Sequence, residues 1–191
     1  MTRTARCLLS AAFVTVPAFV SSSARADDTI KHPGDHPQYR VELEPHGIFA
    51  WDPTYSAWRN VGLGPGFRAS IALLDNGFIP KINNNVAITF GTDFAIHPCG
   101  GNCITAFFFH FPVALQWSFY VAKNWSVFGE LGPDFIAGWY NGACGGRGFD
   151  CGNFTVRPAF FAGGRYHFNE KISLTMRLGY PMFTVGVSFF L

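Results

Sequence analysis

Charged side chains are scarce in this chain. Asp, Glu, Lys and Arg make up only 14% of its 191 residues, whereas soluble domains carry roughly a quarter. Aromatic residues reach 17% and hydrophobic residues 49%. So little charge leaves few side chains for a surface that faces water, which disfavours an ordinary soluble exterior. The net charge of +2 is too small to indicate a partner, and we expect no nucleic acid among the partners.

The sequence also lacks a long apolar run beyond its N-terminus. The first residues have the parts of a secretion signal: basic Arg3 and Arg6, an apolar stretch over 8–20, and a small-x-small cleavage site at 24–26. We therefore expect residues 1–26 to be a signal peptide, since the apolar stretch is short for a membrane anchor. No later run approaches the roughly 20 residues of a transmembrane helix. Export without a spanning helix favours a closed β-barrel, which also satisfies every backbone polar group in lipid.

Alternation of apolar residues is the strongest pattern present. Seven large apolar residues occupy every second position of one segment: Phe107, Phe109, Phe111, Val113, Leu115, Trp117 and Phe119. The positions between them include His110, Gln116 and Ser118, so a strand here has one apolar face and one mixed face. Similar alternation marks eight candidate strands, at about 39–51, 61–73, 86–96, 107–119, 125–139, 154–166, 172–180 and 183–191.

The sequence predicts an all-β fold, an eight-stranded antiparallel up-and-down transmembrane β-barrel over 39–191. Residues 27–38, rich in Pro and Gly, are expected to form a flexible N-terminal periplasmic segment. A soluble lipocalin-like barrel has the same alternation with its apolar face inside. It is disfavoured because an eight-stranded interior could hardly contain every Phe, Trp and Leu of these faces.

An even number of strands places both termini in the periplasm. Segments 52–60, 97–103 and 140–153 then become external loops, with a tight external turn near Pro181. Tyr and Trp residues fall at both ends of the strands and are expected to form two aromatic girdles at the membrane interfaces. The girdle residues are Tyr39, Trp51, Trp117, Trp125, Trp139, Tyr166 and Tyr180.

Ten charged residues fall on the face predicted to line the lumen, five basic and five acidic. They are Arg40, Glu42, Glu44, Arg68, Asp93, Glu130, Asp134, Arg157, Arg165 and Arg177. Since an isolated buried charge is costly, we expect a paired polar network that plugs the lumen. Arg157 and Arg165 are expected to pair with Glu130 and Asp134 on the neighbouring strand. An ion pathway is the less favoured interpretation, because eight strands leave no room for a channel.

The signal, the strand count, the short turns and a terminal strand carrying Val185, Val187, Phe189 and Leu191 together resemble the small outer-membrane barrels of the OmpA and OmpX kind. The resemblance implies the outer membrane of a Gram-negative bacterium as location. It also implies outer-membrane lipid, including lipopolysaccharide, and the barrel insertion machinery as partners, the latter reading the terminal strand. The last residue is Leu191 where that family has a terminal aromatic.

Four cysteines follow the signal, and all lie in the predicted external loops: Cys99, Cys103, Cys144 and Cys151. Export favours disulfides between them. Pairing within each loop, Cys99 with Cys103 and Cys144 with Cys151, is favoured over pairing between loops. Their spacing does not indicate a metal site. His32, Asp35 and His36 are a more suggestive group, but Pro33, Gly34 and Pro37 favour a flexible periplasmic segment there over metal binding.

The expected role is structural, in envelope integrity, or interactive, as in an adhesin whose external loops meet an extracellular partner. We expect no cofactor and no metal. A lipid-modifying enzyme is the main alternative, with Glu130 and Asp134 as its candidate acid and base. It is disfavoured because a plugged lumen gives substrate no entry and the lipid-facing positions, Thr92 excepted, are almost purely apolar. A narrow pore is a further alternative.

Overall fold

The computed structural model of the protein describes residues 29–51, 61–97, 106–140 and 151–191. Eight antiparallel strands follow a 3-10 helix at Thr29–Lys31. They are β1 (Val41–Trp51), β2 (Val61–Leu74), β3 (Asn84–His97), β4 (Ala106–Ala122), β5 (Trp125–Tyr140), β6 (Cys151–His167), β7 (Ile172–Tyr180) and β8 (Met182–Phe190). Each strand pairs with the next, and β8 pairs with β1 to close the barrel. The predicted fold class is confirmed.

Three strands, β3, β4 and β6, are longer than the alternation indicates by more than a single residue. β3 begins two residues early, at Asn84, and β4 continues to Ala122. β6 begins at Cys151 and pairs there with Tyr140, so the connection predicted to span 140–153 is shortened to 141–150. Asn84 and Cys151 were missed because neither a polar residue nor a lone cysteine extends a pattern of apolar alternation.

The apolar faces of the strands lie on the outside of the barrel. Among the most exposed side chains are Leu131 at 67%, Phe154 at 66% and Leu178 at 62%, while charged residues on the alternate positions are buried. This is the reverse of a lipocalin-like barrel, whose apolar face lines the interior. Within the described ranges, no helix has the length and apolarity needed to cross a bilayer.

The two ends of the barrel differ. We call the end with the connections 75–83, 123–124 and 168–171 the turn end; residues 29–40 and Leu191 also lie there. The opposite, or loop, end has the single-residue connection Pro181. Its other connections, 52–60, 98–105 and 141–150, lie outside the described residues, and so do Cys99, Cys103 and Cys144. The predicted disulfides therefore stay predictions.

Residues 29–38 pack against the turn end, in contrast to the flexible segment expected there. The His36 ring stacks on Tyr120 with centroids 4.5 Å apart, and its Nε2 lies 2.8 Å from the carbonyl oxygen of Asp75. Asn83 holds the segment twice, because its backbone amide donates to Ile30 and its side-chain amide donates to the carbonyl of Asp35 at 2.6 Å. The Pro and Gly content predicted the irregular backbone and missed these contacts.

Candidate functional site

The interior of the barrel collects most of the charged residues of the strands. Of the ten residues predicted to line it, eight are buried: Glu42, Glu44, Arg68, Asp93, Glu130, Asp134, Arg165 and Arg177. They come from β1, β2, β3, β5, β6 and β7. Alternation turns every second residue of each strand inward, which is why distant parts of the sequence meet there.

Arg165 of β6 forms the first ion pair of the interior. Its Nη2 donates to both carboxylate oxygens of Glu42 at 2.8 Å, and β1 and β6 are not neighbours in the barrel. The expectation that Arg165 pairs with a carboxylate on the adjacent strand is therefore wrong. The Arg165 guanidinium also lies 4.3 Å from the ring centre of Phe128, a cation–π distance.

A second set of pairs is centred on Glu130. The carboxylate accepts from Arg177 Nε at 3.0 Å, Arg68 Nη1 at 3.3 Å and Gln116 Nε2 at 2.8 Å. Arg177 also pairs with Glu44 through Nη1. These bonds join five strands across the interior, and each carboxylate is paired and hydrogen-bonded, as burial requires.

Two histidines extend this network toward the loop end. His46 bonds through Nε2 to Asp93 Oδ1 at 2.7 Å, and the other oxygen of Asp93 accepts from Arg68 at 3.0 Å. His110 bonds through Nδ1 to Asp134 Oδ2, also at 2.7 Å. Both rings are buried. Within the described ranges, no group of three or more His, Cys, Asp and Glu side chains has the arrangement of a metal site.

The part of the interior nearest the loop end is apolar. Eight buried hydrophobic residues form one cluster there: Ile48, Ala50, Ala95, Phe108, Ile136, Ala159, Phe161 and Met182. The sequence predicts a polar plug in the lumen, and this apolar cluster is an addition to it. The alternation places these residues on the lumen face. Most of them lie near the loop end, and Ala159 and Phe161 lie in the middle of β6.

The part nearest the turn end contains a hydrogen-bonded group of tyrosines. The side-chain amide of Asn85 donates to the hydroxyl oxygens of Tyr39 and Tyr120, both at 3.1 Å. Tyr39 is only 7% exposed, so it belongs to the interior and not to the predicted girdle. Burial, followed by the nearby Glu42 carboxylate, raises the pKa of Tyr39.

Arg40 and Arg157 are less buried than the other eight residues that were predicted to line the lumen. Arg40 is exposed, because the backbone amides of Arg40 and Val41 both donate to the carbonyl of Leu191. This extra residue shifts the alternation by one at the start of β1, which turns Tyr39 inward and Arg40 outward. Arg157 is half-buried and donates to the hydroxyl of Tyr180 at 3.1 Å.

The other predicted girdle residues lie near the strand ends on the outer face. Trp117, Trp125 and Tyr166 lie toward the turn end, and Trp51, Trp139 and Tyr180 lie toward the loop end. Trp125 is 53% exposed and Trp139 is 43% exposed. Six of the seven aromatic residues therefore have the position expected of a girdle.

Comparison with known proteins gives matches by structure alone. No protein-family model and no curated protein matches the sequence. Ail, the attachment invasion locus protein of Yersinia pestis, matches with a TM-score of 0.55 at 12% identity, over 81% of this chain and 98% of Ail. Its complex with the heparin analogue sucrose octasulfate gives 0.54 at 13% identity, over 78% and 96%. Neisserial surface protein A gives 0.53 at 12%, over 80% and 97%.

These structures are small eight-stranded outer-membrane barrels. The chain has the fold of a small outer-membrane β-barrel. The matches extend along almost the whole of each solved chain, and at these identities they concern the fold. As an outer-membrane-type barrel, the protein differs from a porin in having an interior occupied by paired charges and an apolar cluster.

Proposed function

We propose that the protein is an outer-membrane β-barrel with a closed lumen that acts through its external loops, either in envelope integrity or in surface interaction. The observation that carries this proposal is the combination of an apolar exterior with a filled interior. A barrel of this kind is held in lipid by its outer face and cannot serve mainly as a channel. The barrel then serves as a rigid scaffold that positions the loops for contact with partners.

The exterior supports insertion into a membrane. Large apolar side chains such as Leu131, Phe160 and Leu178 are more than half exposed, an arrangement that is costly in water and favourable in lipid. Trp and Tyr residues at both ends match the belts found at the two membrane interfaces. The proposed location is the outer membrane of a Gram-negative bacterium, reached by means of the signal over 1–26. Lipopolysaccharide and phospholipid would surround the barrel, and the insertion machinery would bind the last strand.

The interior supports a closed lumen. Arg68, Arg165 and Arg177 are each no more than 1% exposed, so their guanidinium groups have no open path to water. The apolar cluster on the loop-end side of these arginines, which includes Phe108, Phe161 and Met182, fills a further part of the lumen. An ion that crossed the barrel would first have to break buried ion pairs and then pass an apolar layer. This arrangement disfavours a pore.

The loops are the proposed contact surface. One structural neighbour is described as an attachment invasion locus protein, and it is also known in complex with a heparin analogue. By analogy, an extracellular partner is proposed for segments 52–60 and 141–150 of this chain. A disulfide between Cys99 and Cys103 would staple loop 98–105, and one between Cys144 and Cys151 would staple loop 141–150. Peptide mapping without reduction tests that pairing.

A lipid-modifying enzyme is the less favoured function. Glu130 and Asp134, the candidate acid and base, are 4% and 1% exposed and bonded to other interior groups. Substrate would have to displace those partners to reach them. Comparing the lipid A of cells with and without the protein by mass spectrometry tests for a modified species.

Heat-modifiable migration tests the proposed location and fold together. The protein is purified from isolated outer membranes and run on a detergent gel with and without boiling. Because a closed barrel resists detergent at room temperature, the unboiled protein is expected to migrate as a more compact species. Unchanged migration after boiling, or recovery of the protein in the soluble fraction, would contradict the proposal.

A further inference from the structure

Lysine is confined to one end of the barrel. The chain contains four lysines, Lys31, Lys81, Lys123 and Lys171. They lie in the N-terminal segment and in the three connections at the turn end, one in each, and all four are exposed. The arginines of the strands, in contrast, lie in the interior or are half-buried. The turn end therefore presents exposed cationic side chains, whereas the interior presents buried ones.

Two of these lysines flank a ladder of aromatic rings on the barrel wall. Trp125 packs edge-on against Tyr166 with centroids 5.1 Å apart, and Tyr166 packs edge-on against Phe168 at 5.3 Å. Trp125 is 53% exposed and Phe168 is 58% exposed. Lys123 lies two residues before Trp125, and Lys171 lies three residues after Phe168. Trp125 and Tyr166 lie at the turn ends of β5 and β6, and Phe168 and the two lysines lie in the adjoining β4–β5 and β6–β7 connections.

The backbone that holds the two lysines is fixed by hydrogen bonds. The backbone amide of His167 donates to the carbonyl of Asn124, and the Asn124 side-chain amide donates back to the carbonyl of His167, both at 2.8 Å. Asn169 Oδ1 accepts from the amides of Lys171 and Ile172 at 2.8 and 2.9 Å. The two connections are thus joined side by side. Lys123 and Lys171 line the same cavity of about 640 Å³ at the turn end, and Asp35, Glu170 and the C-terminal residue Leu191 line it as well.

We infer that Lys123 and Lys171, with the ladder Trp125–Tyr166–Phe168, form a binding site for an anionic phospholipid of the periplasmic leaflet. The inference rests on the proposed position of the barrel in the outer membrane. Aromatic rings with polar edges lie at the level of lipid headgroups, so the flanking lysines would meet the phosphates. Within the described residues no carboxylate forms an ion pair with either lysine. Glu170 is the sole acidic residue of the two connections, which leaves them with an excess of positive charge.

The preference for an anionic lipid rests on the two lysines that flank the ladder, and not on the whole cavity, which Asp35, Glu170 and Leu191 also line. A zwitterionic headgroup brings its own ammonium group, which the two lysines repel, whereas phosphatidylglycerol brings a phosphate with no cation. Each lysine near an anionic surface contributes about 1 kcal/mol. Loss of both lysines is therefore expected to weaken binding about 30-fold.

The test measures lipid binding to the full-length mature protein in detergent by native mass spectrometry. Phosphatidylglycerol and phosphatidylcholine with identical acyl chains are titrated against the wild type, the variant K123Q/K171Q and the variant K31Q/K81Q. The last variant loses the same charge from the same end but not beside the ladder. We expect the wild type to prefer phosphatidylglycerol, K123Q/K171Q to bind it about 30-fold more weakly, and K31Q/K81Q to lose less than about threefold. The variant E170Q should bind more tightly.

Three results would overturn the inference: equal binding of the two lipids by the wild type, equal losses in the two double variants, or displacement of phosphatidylglycerol by inorganic phosphate at similar concentration. The last would make the site a phosphate site and not a lipid site. Heat-modifiable migration of every variant is the control for folding. Failure of the wild type in that control would contradict the proposed function, whereas loss of lipid preference with normal migration would contradict this inference alone.

Discussion

Arg165 and Glu42 form an ion pair that crosses the interior of the barrel. The guanidinium Nη2 lies 2.8 Å from each carboxylate oxygen, and the two residues are separated by 123 positions in sequence. Both side chains are no more than 1% exposed. The pair links β6 to β1 through the interior, independently of the hydrogen bonds of the barrel wall.

Removing one partner of this pair should destabilise the barrel strongly. The substitution Arg165→Met leaves the Glu42 carboxylate buried without its cation, which costs about 3 to 5 kcal/mol in soluble proteins. Urea unfolding in lipid vesicles, followed by tryptophan fluorescence, measures the loss. The double variant E42Q/R165M should lose less than the sum of the single variants, because the stranded charge is gone. Additive losses would show that the two groups are not coupled. Arg40→Met is the matched control, because Arg40 is exposed at the rim.

A side chain at Gly163 should destabilise the barrel, whereas a small side chain at the neighbouring Gly164 should not. A Cβ built at Gly163 overlaps the ring of Phe128 inside the barrel, but one at Gly164 on the outer face meets its nearest atom, the carbonyl oxygen of Ser126, at 3.9 Å. We expect Gly163→Ala to cost about 1 to 3 kcal/mol through overpacking, and Gly164→Ala to change stability little. The same unfolding measurement compares them. Equal losses of stability in the two variants would show that the Phe128 ring does not lie against Gly163.

A charge on the outer wall should be costly in proportion to its depth. Leu131 lies near the centre of β5 and is 67% exposed. Leu131→Arg should destabilise the barrel by about 2 to 4 kcal/mol in lipid, whereas Ile79→Arg, in the connection between β2 and β3, should cost at most about 1 kcal/mol. Folding yield and unfolding midpoint in vesicles test this. A harmless arginine at position 131 would argue against a lipid-facing wall.

Docking of the N-terminal segment should depend on His36. Its ring stacks on Tyr120 and its Nε2 is bonded to the Asp75 carbonyl, so His36→Ala removes both contacts. Hydrogen exchange of residues 29–38 is expected to accelerate while the strands stay protected. His32→Ala is the control, because His32 is exposed. Unchanged exchange in the His36 variant would show that the bonds of Asn83 hold the segment without it.

The strands and their faces could be predicted from the sequence because lipid on one side imposes a strict period of two. Leu131 and Arg165 illustrate this, since each falls on the predicted face. The prediction failed where the period breaks. The backbone amides of Arg40 and Val41 both donate to the carbonyl of Leu191, so two residues stand opposite one. The alternation therefore shifts by one residue, and Tyr39 and Arg40 lie on the faces opposite to those predicted.

The partners of the interior charges could not be read from the sequence. Adjacent strands suggested that Arg165 would meet Glu130 or Asp134, but a long guanidinium side chain reaches across a narrow lumen as readily as along its wall. Its partner therefore depends on the stagger of all eight strands. The apolar cluster around Phe108 and Phe161 was predictable in principle, because both residues occupy lumen positions. The contacts of residues 29–38 depend on Asp75, Asn83 and Tyr120, which no local pattern relates to that segment.

Single-channel recording in a planar bilayer tests the central claim, that the barrel spans a membrane and its lumen is closed. Purified protein is first reconstituted into vesicles where heat-modifiable migration verifies insertion, and the vesicles are then fused with the bilayer. The buried ion pairs and the apolar cluster predict a baseline without open steps of porin size, both for the wild type and for the variant Arg157→Ala at the rim. Regular open steps of porin size from the inserted wild-type barrel would contradict the account.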